Sequence, residues 1–177
     1  MGLACRLSRL APLFIEEQPE MPEAGIPNVY LKAGEYFMSC DPARVITVLG
    51  SCVSVTMFNE RLGIGAICHA LLPRNNGNGD DFKYVDSSIR QMIRAFEKLK
   101  VDRHEIEVKL FGGGDMFRMQ IARPFFISVG EQNVKMALKT IEKEKLKLMA
   151  SDVGGHLGRK LYYYTHTNAV FIKRLKK

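Results

Sequence analysis

Two consecutive runs with a two-residue period constrain this chain more than any other feature. In the first, Val53, Val55 and Met57 share one face while Cys52, Ser54 and Thr56 share the other. In the second, Ile64, Ala66 and Cys68 line one face. The run Asn59-Glu60-Arg61-Leu62 interrupts the pattern, and Gly63 tolerates the backbone angles a tight turn demands. Such a pair folds as a β-hairpin with a four-residue loop. If Phe58 pairs with Gly63, the register places Cys52 directly opposite His69 on one face, with Cβ atoms roughly 4.5–5.5 Å apart. A one-residue slip would send the two side chains to opposite faces.

The remaining elements follow from the same patterns. Short strands are expected at Val29–Lys32 and Val45–Leu49, the latter ending at Gly50 and Ser51. After the Asn/Gly-rich loop Arg74–Asp81, Asp86 or Ser87 is placed to cap a helix carrying Ile89, Met92, Ile93, Phe96 and Leu99. Ile106, Val108 and Leu110 alternate as a strand leading into Phe111-Gly112-Gly113-Gly114. A second helix is expected over Gly130–Lys145 with Val134, Ala137, Leu138 and Ile141 on one stripe. Leu146–Ser151, Lys160–Thr165 and Ala169–Leu175 complete the strands. Strands outnumber helices and tight turns join most of them, so the expectation is one mixed α/β domain of the α+β type with mostly antiparallel strands.

A chain of 177 residues, 46% hydrophobic and 25% charged, buries enough surface to fold without disulfide or metal staples, and its composition excludes disordered and fibrous classes. Residues 1–27 differ: they hold four of the seven prolines and show no periodicity, which suggests a flexible leader ahead of a domain at 28–177. The leader sums to −2, leaving +9 of the net +7 on the domain, including the basic tail Lys173, Arg174, Lys176 and Lys177. That balance suits an acidic partner. No apolar run approaches the roughly 18 residues of a membrane span, so no membrane insertion is expected. The four cysteines form no CxxC pair, which suits free thiols in a reducing cytoplasm.

Cys52 and His69 are the candidates for chemistry. A thiol is mostly protonated at neutral pH, and a neighbouring imidazole can convert it to a thiolate–imidazolium pair, which would make Cys52 the most reactive of the four cysteines. Gly50 and Ser51 leave room for a substrate carbonyl, and their amides are candidates for an oxyanion hole. The structural alternative is a small buried Cys52 and a hydrogen-bonded core His69. Cys68 and His69, adjacent on a strand, point to opposite faces and do not suit a shared metal ion; no metal or cofactor is expected. Neither glycine cluster has the context of a nucleotide loop: Gly112–Gly114 lacks the Walker ending, and Gly154–Gly158 lies between strands. Lys160-Leu161-Tyr162-Tyr163-Tyr164 hints at a nucleic-acid platform, but strand packing accounts for it and no nucleic-acid partner is expected.

The motifs then point further. Thr47-Val48-Leu49-Gly50-Ser51-Cys52-Val53 and Cys68-His69-Ala70-Leu71-Leu72-Pro73 resemble the signature of the CheD family of chemoreceptor glutamine deamidases. So, in order, do Lys109–Gly113, Gly130–Val134, Ser151–Gly155 with Gly158–Lys160, and Thr165–Thr167, spanning about residues 29–175. The resemblance implies a three-layer α-β-β fold and a catalytic set of Cys52 as nucleophile, His69 as general base and Thr47 as third member. It implies hydrolytic deamidation of glutamine on methyl-accepting chemotaxis receptors, and a phosphatase of the CheC type as partner, for which Phe111, Gly112 and Gly113 are the candidate contacts. A non-catalytic adaptor binding receptors or CheC is the competing reading.

Overall fold

The structure, a computed structural model, describes residues 25–77, 81–116 and 127–175. Most of the expected leader and the tail residues Lys176 and Lys177 therefore lie outside the described residues, as do 78–80 of the Asn/Gly-rich loop. The strands are β1 (Asn28–Tyr30), β2 (Tyr36–Ser39), β3 (Arg44–Leu49), β4 (Val53–Asn59), β5 (Ile64–Ala70), β6 (Glu107–Gly112), β7 (Lys147–Val153), β8 (Arg159–Tyr164) and β9 (Val170–Arg174). The helices are α1 (Val85–Lys98) and α2 (Val129–Lys143). One sheet has the order β1-β3-β8-β9, the other β2-β5-β4-β6-β7.

The two strand faces explain the layers. On β4 the odd residues Val53, Val55 and Met57 pack with Ile89, Met92, Phe96, Ala137 and Ile141 beneath the helices. Even positions face the other sheet, where Val45, Leu49, Ile67, Phe111, Leu161 and Tyr163 form a second core with Cys52 against it. Helices, five-stranded sheet and four-stranded sheet thus make the expected α-β-β sandwich in one domain. Antiparallel pairing dominates, with β1–β3 and β6–β7 the parallel exceptions among the described residues. The second needs a crossover, and α2 lies between its strands in the chain.

Several expectations change. The strand β2 was not expected: Tyr36–Ser39 is short and half-buried throughout, so no face alternates. Neither Asp86 nor Ser87 caps α1. The cap is Tyr84, and Asp86 lies in the first turn, where its Oδ1 accepts from the Asn75 and Ser87 amides at 2.9 Å each. The buried stripe of α2 is Gly130, Asn133, Ala137, Thr140 and Ile141, whereas Leu138 is 41% exposed. Two polar residues sit on that stripe because each bonds locally or to the site loops. The three tyrosines of β8 alternate as expected, Tyr163 between the sheets and Tyr162 and Tyr164 outward, but all three are buried and offer no stacking platform.

At one end of the sandwich a buried ion pair ties the sheets together. The Arg159 guanidinium, on β8 and wholly buried, donates to the Asp152 carboxylate and to the carbonyls of Asp152 and Gly154 beyond β7. Arg174 reaches the other Asp152 oxygen at 2.6 Å. Removing one partner of a buried pair strands the other, at a cost of about 3–5 kcal/mol, whereas an exposed pair contributes under about 1 kcal/mol. Arg159→Leu should therefore lower stability several-fold more than Arg61→Ala, which removes the half-exposed Glu105 pair, in urea unfolding. Equal midpoints for the two variants would contradict this account.

Candidate active site

The hairpin forms in a register other than the expected one. Asn59 pairs with Ile64, the loop is Glu60–Gly63, and His69 stands opposite Ser54. The shift is two residues, so face parity survives. Cys52, just ahead of β4, is on the same face as His69 as a diagonal neighbour rather than a direct partner. Ser54, which sequence reasoning passed over, is fully buried there with its hydroxyl unpartnered.

Thr47 and His69 do meet, across the two sheets. Thr47 faces inward from β3, and its Oγ1 lies 2.8 Å from His69 Nδ1 and 2.9 Å from the Leu31 carbonyl. A hydroxyl has one hydrogen, which it donates to Leu31 O. The imidazole must then donate from Nδ1, and Nε2 carries the lone pair. His69 Nε2 is buried without a hydrogen-bond partner. The His69 backbone is pinned on both sides, its carbonyl accepting from Gly34 at 2.8 Å and its amide donating to Glu35 O at 2.9 Å.

Around the thiol, three successive carbonyls are engaged. Gly50 O accepts from the Gly114 amide at 2.8 Å and Cys52 O from the Gly113 amide at 2.7 Å. Ser51 O accepts from Asn133 Nδ2 at 3.0 Å. The glycine strip must lie this close: a Cβ on Gly112 would come within 2.3 Å of Cys52 O, and its φ of +105° also excludes other residues. Phe111, Gly112 and Gly113 are all buried, so they form the inner wall of the site and present no docking surface, contrary to the expectation of a partner contact.

The electrostatics also differ from expectation. Burial pushes the half-buried Cys52 thiol above its ordinary value, with its own backbone amide offsetting part of the effect. Burial pushes the His69 imidazole below its ordinary value, against the Leu31 carbonyl and the Glu35 charge. Both shifts favour a neutral thiol and a neutral imidazole over the ion pair expected from the sequence. Cys68, on the helix-facing side, is buried and pushed up to about 11.

The fold and this arrangement define a class: an α/β sandwich with a thiol and an oriented imidazole at one end of its inter-sheet layer. The family model for CheD chemotactic sensory transduction matches residues 71–174. A probable chemoreceptor glutamine deamidase CheD 2 of Geobacter sulfurreducens is 49% identical over 153 residues, covering 86% of this chain and 92% of the relative. A probable chemoreceptor glutamine deamidase of Maridesulfovibrio salexigens is 38% identical over 88% of this chain and 96% of its own length. The namesake from Thermococcus kodakarensis is 35% identical over 84% and 93%. The chain belongs to the CheD family.

A pH profile follows from the two shifts. Iodoacetamide should label the exposed Cys40 before Cys52 at pH 6–7, and Cys52 labelling should still be rising above pH 9. Because the folded state holds His69 neutral, the unfolded chain binds more protons just below the imidazole's ordinary 6.5. Its stabilising contribution is complete above that pH and is lost as pH falls from 6.5 toward the folded value. Cys52 labelled ahead of Cys40 at pH 6 would show an ion pair already formed.

Proposed function

We propose that this CheD-family protein hydrolyses glutamine side chains of chemotaxis receptors to glutamate, with Cys52 as nucleophile, His69 as base and Thr47 as its orienting partner. The observation that carries the mechanism is the Thr47–His69 hydrogen bond, which presents a bare Nε2 on the face that Cys52 shares. As the carboxamide enters, Nε2 takes the thiol proton and Sγ bonds to the carboxamide carbon, placing the charge on oxygen. Backbone amides of the turn that holds Gly50 and Ser51 receive that oxyanion. When it collapses, the C–N bond breaks and the imidazolium gives its proton to the departing ammonia. A water molecule, deprotonated by the same Nε2, then attacks the thioester and returns the thiol, leaving glutamate. Thr47 holds one tautomer through both halves, the role a carboxylate fills in other triads.

Neutral resting groups suit this sequence. Proton transfer and attack occur together when substrate excludes water, so a standing thiolate is unnecessary. The same neutrality sets the lower limb of the activity profile below pH 6.5, where His69 begins to charge.

The test is mass spectrometry of a receptor cytoplasmic fragment incubated with wild-type or Cys52→Ala protein. Each conversion should add about one mass unit with wild type only. His69→Ala should lower kcat by roughly 10²–10⁴ without loss of fold. Conversion by Cys52→Ala would remove the thiol mechanism, and receptor binding without any conversion would favour an adaptor.

Recognition is proposed to be electrostatic, in the cytoplasm, where a CheC-type phosphatase competes for the enzyme. Among the described residues no helix is long and apolar enough to cross a membrane. Arg74, Arg90, Lys139 and Lys143, against the single carboxylate of Asp86, line a cleft of about 300 Å³ between α1 and α2. Such a surface suits acidic side chains. Raising salt from about 0.1 to 1 M, which shortens the Debye length from about 10 to 3 Å, should depress kcat/KM steeply and leave kcat nearly unchanged. A flat salt profile would remove charge as the basis of recognition.

A further inference from the structure

Asn133 is the one polar side chain on α2 that reaches the nucleophile turn, and nothing in the mechanism above uses it. It is fully buried. Its Nδ2 donates to Ser51 O at 3.0 Å and to Leu71 O at 2.8 Å, joining the residue before Cys52 to the chain leaving His69. Both partners are carbonyls, so the amide must present its NH₂ group to them.

The consequence lies in the peptide plane. No cis peptide occurs among the described residues, so each carbonyl and the following amide point in opposite directions. Ser51 O held toward Asn133 turns the Cys52 N–H away from α2. Gly50 O held by the Gly114 amide likewise turns the Ser51 N–H away from the glycine strip. Among the described residues neither amide donates to a backbone or side-chain oxygen, and the Cys52 amide lies against its own sulfur. A Ser51 N–H without an acceptor and a Cys52 N–H whose only acceptor is the sulfur beside it are placed as a developing oxyanion requires.

We infer that Asn133 is a positioning residue for the oxyanion hole, fixing the Ser51–Cys52 peptide so that the amides of Cys52 and Ser51, rather than those of Gly50 and Ser51, receive the carboxamide oxygen. The inference rests on the thiol mechanism proposed above. Without Asn133 the Ser51 carbonyl loses its donor, the peptide is free to rotate, and a carbonyl can replace the N–H at the site of charge. The ground-state substrate is left untouched, and the thiol loses at most the contact with its own amide.

Two reactions of Cys52 separate these roles. Alkylation by iodoacetamide displaces iodide at a methylene carbon and develops no oxyanion, whereas deamidation does. Asn133→Asp keeps the shape and removes the donor; Asn133→Ser keeps one short donor and serves if the aspartate does not fold. Deamidation of a receptor fragment should show kcat lowered about 10²–10³-fold for Asn133→Asp and less for Asn133→Ser, with KM within about threefold. The Cys52 alkylation rate should change far less than kcat, within about threefold, and the acid limb of the activity profile, set by His69, should stay at its wild-type position. Parallel loss of alkylation and deamidation, or an unchanged kcat with an active wild-type control, would overturn the assignment while the thiol mechanism stood. A wild type that is alkylated at Cys52 but releases no ammonia would instead overturn the mechanism itself and the assignment with it.

Discussion

The Thr47–His69 hydrogen bond crosses the gap between the sheets on the face that Cys52 shares. His69 occupies a position that elsewhere along the same face belongs to Ile67, and an unpartnered imidazole there would cost free energy comparable to a lost hydrogen bond. Thr47 supplies the partner from the opposite sheet, and Leu31 O takes the hydroxyl hydrogen in turn. The chain of three groups satisfies Nδ1 and leaves Nε2 bare. The register of β3 against β8 and of β5 against β4 has to be maintained for this contact to exist.

The turn from β3 to β4 is held just as tightly, by other means. Its three carbonyls are taken by donors from two sources: the glycine strip for Gly50 and Cys52, and α2 for Ser51. Burial of Arg159 on Asp152 closes the same end of the sandwich, because Arg159 pairs with Leu49 at the end of β3. The layers thus meet around Cys52 through directed polar contacts, while their interiors are joined by apolar packing. A frame held this closely around Cys52 suits the proposed mechanism, in which the thiol proton moves only when substrate arrives.

Charge gathers elsewhere in the molecule. The cleft between α1 and α2 gathers cations on the helix side, away from the inter-sheet end where the proposed catalytic residues lie. Arg90 is held in that cleft by Asp86 and Glu144, at 3.2 and 3.4 Å, whereas Lys139 and Lys143 have no acidic partner among the described residues. In the proposed mechanism this separation keeps salt effects on encounter apart from pH effects on turnover.

What the sequence determined by itself was parity. The period of two placed Cys52, Ser54 and Thr56 on one face and Cys68 and His69 on opposite faces, because side-chain direction in a strand is local. The family motifs carried Thr47 and the α-β-β layers. Register was beyond local reach: a four-residue loop can begin at Asn59 or one residue later, and contacts across the sheet chose the second, moving His69 from Cys52 to Ser54. The short β2 and the rotated stripe of α2 escaped for the same reason, since half-burial and polar contacts to distant loops leave no periodic trace. Asn133 meets Ser51 across 82 positions of sequence and Thr47 meets His69 across 22. Only the packed layers bring such groups within hydrogen-bond distance, because the direction of a polar side chain is set by what it can bond to, and those partners exist only once the sheets and α2 have come together.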